Sequence, residues 1–252
     1  MPKRWFHHRL RMAGLVGFAA LALLATARLA VYAADPNALW KIVHDRCVPG
    51  AATGNPGPCV VVGPNDAVLK DIVGATQFLL IPTARITGIE SPALLDPATP
   101  NYFADAWRAH GDVDSRVGHP MPRDTITLVI NPPSARSQEQ LHIHIDCIRP
   151  DIRDTLKTQT IGDTWTMLPT PLAGQRYSAI RLSGDELTAN PFRLVAGTLP
   201  GARDAMDRYT LIVVGAEPGF ILLAGRVGPD GQGHGEDVQD HACALGAQPI
   251  AG

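Results

Sequence analysis

Gln140-Leu141-His142-Ile143-His144-Ile145-Asp146-Cys147 alternates polar and apolar side chains without a break. In an extended strand successive side chains point to opposite faces, so Leu141, Ile143, Ile145 and Cys147 share one face and Gln140, His142, His144 and Asp146 the other. The apolar face asks for a core. The polar face sets two imidazoles about 7 Å apart along one row. An imidazole with an ordinary pKa of roughly 6.5 can attack as a neutral nucleophile or donate a proton near neutral pH.

Three chemistries compete for such a row. The histidines can be hydrogen-bonded groups on a solvated face. They can be two ligands of a metal site, as in a metal-dependent phosphodiesterase, although zinc needs a third and fourth ligand and no second His/Cys cluster supplies them in the sequence. Or one of them can attack phosphorus and form a covalent intermediate while its neighbour stabilises charge. Just downstream, Arg149 and Arg153 carry guanidinium groups that match phosphate geometry, or else are solvated charges at the start of a helix near Pro150. The Gly-rich stretch from Gly228 to Gly235 lacks the strand–helix frame of a phosphate loop and reads as a turn.

The elements that must hold this row are short. Pro36–Arg46 reads as a helix, with Leu39, Trp40, Val43 and Cys47 on one face. Ala67–Ile72 and Gln77–Ile81 are β-rich runs joined by the hairpin signal Val73-Gly74-Ala75-Thr76. Pro100-Asn101 opens a helix whose apolar face is Tyr102, Phe103, Ala106 and Trp107. Thr125–Ile130, Leu141–Ile148 and Tyr177–Leu182 read as strands. Pro191–Met206 reads as helical pieces broken at Pro200-Gly201, and Tyr209–Val214 with Phe220–Ala224 as a hairpin. No sequence repeat and no linker interrupts this order. An α+β domain is expected, an antiparallel sheet with packed helices, forming one globular unit over residues 35–252.

Residues 1–34 stand apart. Met1–Arg11 is basic, Met12–Ala27 is an uncharged apolar run, and Val31-Tyr32-Ala33 ends in small residues before Asp35. Basic flank, apolar core and small residues make an export signal or a membrane anchor, with the basic end on the cytoplasmic side. Lys3, Arg4, Arg9, Arg11 and Arg28 give this segment +5, which leaves 17 basic and 24 acidic residues, −7, in the remainder. A domain that acidic is unsuited to binding the nucleic-acid backbone, so nucleic-acid partners are not expected. All four cysteines, Cys47, Cys59, Cys147 and Cys243, follow the segment, and an even number outside the cytoplasm suggests two bridges. Three pairings are open. The Pro/Gly-rich loop between Cys47 and Cys59 favours a clasp there, which leaves Cys147 with Cys243.

Beyond composition, the row resembles the signature of the histidine triad (HIT) superfamily of nucleotide hydrolases and transferases, in which three histidines alternate with apolar residues. Lys70-Asp71, Leu80–Pro92, His142–Arg153 and Gln239-Asp240-His241-Ala242-Cys243 are similar, more narrowly, to the CDP-diacylglycerol pyrophosphatases, a membrane-anchored bacterial branch of that superfamily. The likeness runs from about Leu39 to Cys243. It implies a HIT-like fold and hydrolysis of CDP-diacylglycerol to CMP and phosphatidate in phospholipid metabolism, through a phosphohistidine-type intermediate and without metal or other cofactor. It also implies a location at the bacterial inner membrane with the catalytic domain in the periplasm. The partners it implies are the lipid nucleotide and the membrane surface, and it allows a homodimer.

By that resemblance His142 takes the nucleophile's position and His144 that of a phosphate-contacting imidazole. Ser137 stands where the family often has a phosphate-binding hydroxyl, and Asn131 closes the preceding strand. Two positions depart from the pattern. Gln140 replaces the first histidine, which is tolerable if that residue acts through its backbone carbonyl on the His142 tautomer. Lys70 stands where many small HIT hydrolases carry a histidine, and can pair with a phosphate. Lys70, Asn131, Ser137, Gln140 and Arg149 are thus the expected substrate-binding residues. A non-catalytic periplasmic module that binds nucleotide or lipid is the alternative that the incomplete triad suggests.

Overall fold

The computed structural model describes residues 35–228 and 233–247; the expected export segment, residues 1–34, lies outside them. Helix α1 (Ala38–Ile42) continues through a wider-wound turn, Val43–Cys47, into α2 (Val48–Ala52). The sequence pattern predicts a helix that ends at Arg46, before Pro49. The chain instead stays helical across the proline, because the widened turn ahead of it absorbs the missing N–H bond. Strands β1 (Cys59–Val62), β2 (Asp66–Lys70) and β3 (Phe78–Pro82) follow, then α3 (Tyr102–Arg108) and α4 (Gly111–Val117). Next come β4 (Ile126–Ile130), β5 (Ile143–Cys147), α5 (Pro150–Thr158), β6 (Thr166–Met167) and β7 (Tyr177–Leu182). Helix α6 (Pro191–Thr198), β8 (Tyr209–Gly215) and β9 (Phe220–Arg226) complete the order.

Among the described residues the nine strands make one sheet in the order β1-β2-β3-β5-β4-β8-β9-β7-β6, antiparallel throughout. This is the α+β architecture that the strand and helix signals predict, an antiparallel sheet with packed helices. Strand β5 lies inside the sheet, paired on one edge to β3 (Leu79 opposite His144) and on the other to β4 (Val129 opposite His144). A strand so placed is fixed in register from both sides. A slip by one residue would exchange its histidine face for its isoleucine face.

One face of β5 contributes Ile143 and Ile145 to the main core, where Leu80, Leu128 and the α3 residues Tyr102, Phe103, Ala106 and Trp107 are also buried. On the histidine side, Leu39, Val43 and Cys47 of the first helix pack on Ala67, Leu69, Leu79 and Ile81 and so cover β2 and β3. Across β5, the short 3-10 turn Gly235–Val238 lies on β4 and β8. Gly235 makes that approach possible, since a Cβ there would sit 2.3 Å from the Thr210 hydroxyl and 2.6 Å from a Val129 methyl. The histidine row therefore floors a trough between the first helix and this turn.

Both expected bridges are present, Cys47–Cys59 and Cys147–Cys243, with Cα separations of 5.6 and 5.2 Å. Among the described residues no helix is long and apolar enough to cross a membrane.

Candidate active site

Alternation along β5 turns His142, His144 and Asp146 to the same side, and all three are largely buried, at 8, 6 and 0% exposure. The two imidazoles meet edge to face with centroids 4.9 Å apart. Nδ1 of His142 lies 2.7 Å from the backbone carbonyl of Gln140. A carbonyl only accepts, so Nδ1 carries the proton and Nε2 keeps its lone pair. Burial holds the His142 pKa below the ordinary imidazole value, against the opposing pull of the Gln140 carbonyl and the Glu236 carboxylate. His142 is therefore a neutral imidazole at neutral pH, with its nucleophilic nitrogen defined by the backbone.

The Gln140 side chain does a different job. Its amide donates to the carbonyls of Pro82 and Ala84, 3.1 and 2.9 Å away, and so locks the end of β3 to the start of the histidine strand. It is wholly buried.

His144 is held by a residue from β3's leading end. Gln77 brings its amide nitrogen 2.7 Å from Nδ1, so the donor makes Nδ1 the acceptor and leaves the proton on Nε2. Burial first, and then the neighbouring His142, press the His144 pKa well below its ordinary value. Glu236 lies 3.3 Å from the same nitrogen. Asn131 holds that carboxylate at 2.6 Å through its amide N–H, while its carbonyl oxygen accepts from the Gly235 N–H at 2.8 Å. Asn131 is thus a bracket that fixes the turn and its glutamate over the histidines, with both ends of its amide engaged.

At the far end of the row Asp146 accepts from the Thr76 hydroxyl (2.6 Å) and the Cys147 N–H (2.9 Å), and its second oxygen lies 2.7 Å from Nδ1 of His241. That bond raises the His241 pKa above the usual imidazole value.

The other expected binding residues lie differently. Ser137 is exposed in the segment leading to β5. The side chain of its neighbour Arg136 is buried and takes a two-point pair with Glu90 at 2.7 Å and a third bond to Glu139 at 3.0 Å. Lys70 sits opposite Phe78 in the ladder, so its side chain leaves the sheet on the face away from His144. Its ammonium binds the carbonyls of Asp71 and Gly74. Arg149 is engaged by both carboxylate oxygens of Asp151 and by the Asp237 carbonyl. The structure thus groups His142, His144, Gln140 and Asn131 and leaves Lys70 and Arg149 at a remove. Gln77, Glu236, Arg136 and the Asp146–His241 pair were not assigned to the site by sequence reasoning. Among the described residues no group of three or more His, Cys, Asp or Glu side chains is arranged to hold a metal ion. A separate cleft of about 730 Å³ is lined by Pro133, Ser134, Asp207, Arg208 and Arg226 among others, and by none of the histidine-row residues.

A family profile described as CDP-diacylglycerol pyrophosphatase matches residues 34–247. A Yersinia pestis protein named CDP-diacylglycerol pyrophosphatase is 40% identical over 220 residues, which cover 84% of this chain and 85% of that relative.

Proposed function

The chain belongs to the CDP-diacylglycerol pyrophosphatase family, and from that premise we propose that it hydrolyses CDP-diacylglycerol to CMP and phosphatidate by nucleophilic attack of His142 on phosphorus. Enzymatic, hydrolytic activity is what family membership establishes. The covalent route is our reading of the site, with a HIT-like arrangement of the strand and without a metal.

The observation that carries it is the bond from His142 Nδ1 to the Gln140 carbonyl. It leaves Nε2 unprotonated and aimed away from the strand, in a site whose burial keeps the imidazole neutral. Attack would form a P–N bond and expel one phosphate of the pyrophosphate, giving a cytidylylated histidine. Water would then break that bond. His144, with its proton placed on Nε2 by Gln77, donates to a phosphate oxygen whose charge rises in the transition state. The exposed Ser137 hydroxyl would contact the substrate's second phosphate. The basic, apolar N-terminal segment and the two disulfides support a catalytic domain on the periplasmic side of the inner membrane, where the lipid substrate resides.

Purified protein incubated with detergent-dispersed CDP-diacylglycerol should release CMP. His142→Ala should lose several orders of magnitude, as when a covalent nucleophile is deleted. His144→Ala should lose about 10²–10³, as for one charge-stabilising donor. Absence of CMP release from the parent protein contradicts the assignment of activity, and a His142→Ala enzyme within tenfold of the parent contradicts the nucleophile.

A further inference from the structure

The family pattern calls for three imidazoles on one strand, and this strand supplies two. A third reaches the row from elsewhere. His241 comes from the segment after the Gly235–Val238 turn and binds Asp146, which occupies the place one step beyond His144 on the same strand face. The row therefore carries imidazoles at His142, at His144 and above Asp146. It is completed at the opposite end from the one where Gln140 interrupts it.

Every element around His241 fixes that placement. Asp240 donates its N–H to the Cys147 carbonyl at 2.9 Å, and Gln239 bridges to Ile148. The Cys147–Cys243 disulfide joins the residue after Asp146 to the residue two past His241. From the other side the β2–β3 turn closes on it: Ala75 donates to the His241 carbonyl at 3.0 Å. Gly74 comes so near that a Cβ would lie 2.6 Å from the His241 Cβ. With Nδ1 committed to Asp146, the Nε2–H of His241 has no partner among the described residues, on a side chain one-third exposed. A buried carboxylate behind Nδ1 and an open Nε2–H in front form the geometry of an acid–base histidine.

We propose that His241, oriented by Asp146, is a third catalytic histidine, the acid that protonates the leaving phosphate and the base that activates the water. The proposal rests on the reading of the site given above. In the first step the His142 Nε2 lone pair forms the P–N bond, the P–O bond to the bridging oxygen breaks, and its electron pair stays on that oxygen, which takes the Nε2 proton of the His241 imidazolium. In the second step water forms a P–O bond and gives its proton to the now neutral His241, while the P–N electron pair returns to His142. Both histidines end as they began.

The active form of His241 is the cation. Asp146 from β5, Glu236 from the turn and Asp71 after β2 favour it, while partial burial opposes it; its charge in turn helps to press the His144 pKa down. The cations Lys70 and Arg116 are held at the β2–β3 turn, bound to the carbonyls of Asp71, Gly74 and Ala75. The asparagine and glutamine variants below separate this role from a structural one. In the full-length enzyme acting on CDP-diacylglycerol, activity should decline as pH rises above the ordinary imidazole range. His241→Gln should lower kcat by about 10² or more, change KM by only a few-fold, and abolish that alkaline decline. Asp146→Asn should shift the decline to lower pH, because the imidazolium loses its counter-charge. A His241→Gln enzyme within threefold of the parent, or one that keeps the alkaline decline, would overturn the proposal. So would an Asp146→Asn profile whose decline stays in place. His142→Ala measured in parallel reports the nucleophile separately: its retained activity would contradict the attack by His142, whereas the His241 profile reads proton delivery to the leaving oxygen whichever group attacks.

Discussion

At the scale of single residues, the site divides its work between backbone and side chains. Position 140 serves His142 through a carbonyl, which every amino acid possesses, so a glutamine there keeps the tautomer intact. What glutamine adds is structural, since its amide satisfies two carbonyls, of Pro82 and Ala84, in a place that water does not reach. Gln140→Ala should consequently cost about 1–3 kcal/mol of stability, the range for stranding buried polar groups. It should reduce kcat by less than tenfold. Urea denaturation alongside CMP release separates the two effects, and a kcat collapse with unchanged stability would contradict this division. The pair His142 and His144 was legible in the sequence because alternation on a strand is a local signal. Glu236 and Gln77 were not, because each reaches the row from a segment 65 or more residues away and carries no local mark of its role; His241 lies in a segment similar to the family, but nothing local shows that it meets Asp146. Lys70 shows the converse. The period that aligned the histidines also places Lys70 on the face opposite Leu69, so its separation from the row follows from counting along β2.

Elements were legible in proportion to their patterning. The central strands β3, β4, β5, β8 and β9 are buried along nearly their whole length, and their runs of apolar residues predicted them within a residue or two. Helix α4 went unseen because its sequence, Gly-Asp-Val-Asp-Ser-Arg-Val, buries only Val113 and lacks an apolar stripe. Strand β1 was hidden in the Pro/Gly-rich approach to Cys59 and is an edge strand with exposed Val60 and Val61. The two disulfides act at this scale. Cys47–Cys59 clasps the first helix to β1 across 12 residues, whereas Cys147–Cys243 spans 96 and ties β5 to the segment that carries Gln239 and His241. In the chain-entropy picture the first is worth somewhat under ~3 kcal/mol and the second nearer ~4–5 kcal/mol. Replacing Cys147 and Cys243 by serine should therefore lower the thermal midpoint more than replacing Cys47 and Cys59. It should also depress activity at temperatures where the protein is still folded. Equal activity in the two double variants would show that the second bridge does not position the site.

For the whole molecule, the described fold from Asp35 onward carries its own cores, its sheet and both bridges. A chain beginning at Asp35 should fold, form both disulfides and hydrolyse detergent-dispersed substrate, while only the full-length protein should fractionate with membranes. Loss of the circular-dichroism melt on that truncation would place the N-terminal segment inside the fold. The central claim, covalent catalysis by His142, is tested most directly by trapping the intermediate. Enzyme mixed with CDP-diacylglycerol labelled in the cytidylyl phosphate, quenched in alkaline denaturant and digested, should yield one labelled peptide containing His142. The His144→Ala enzyme should still give that peptide, and the His142→Ala enzyme should give none. Label on any other residue, or none from an enzyme that turns over, would contradict the account.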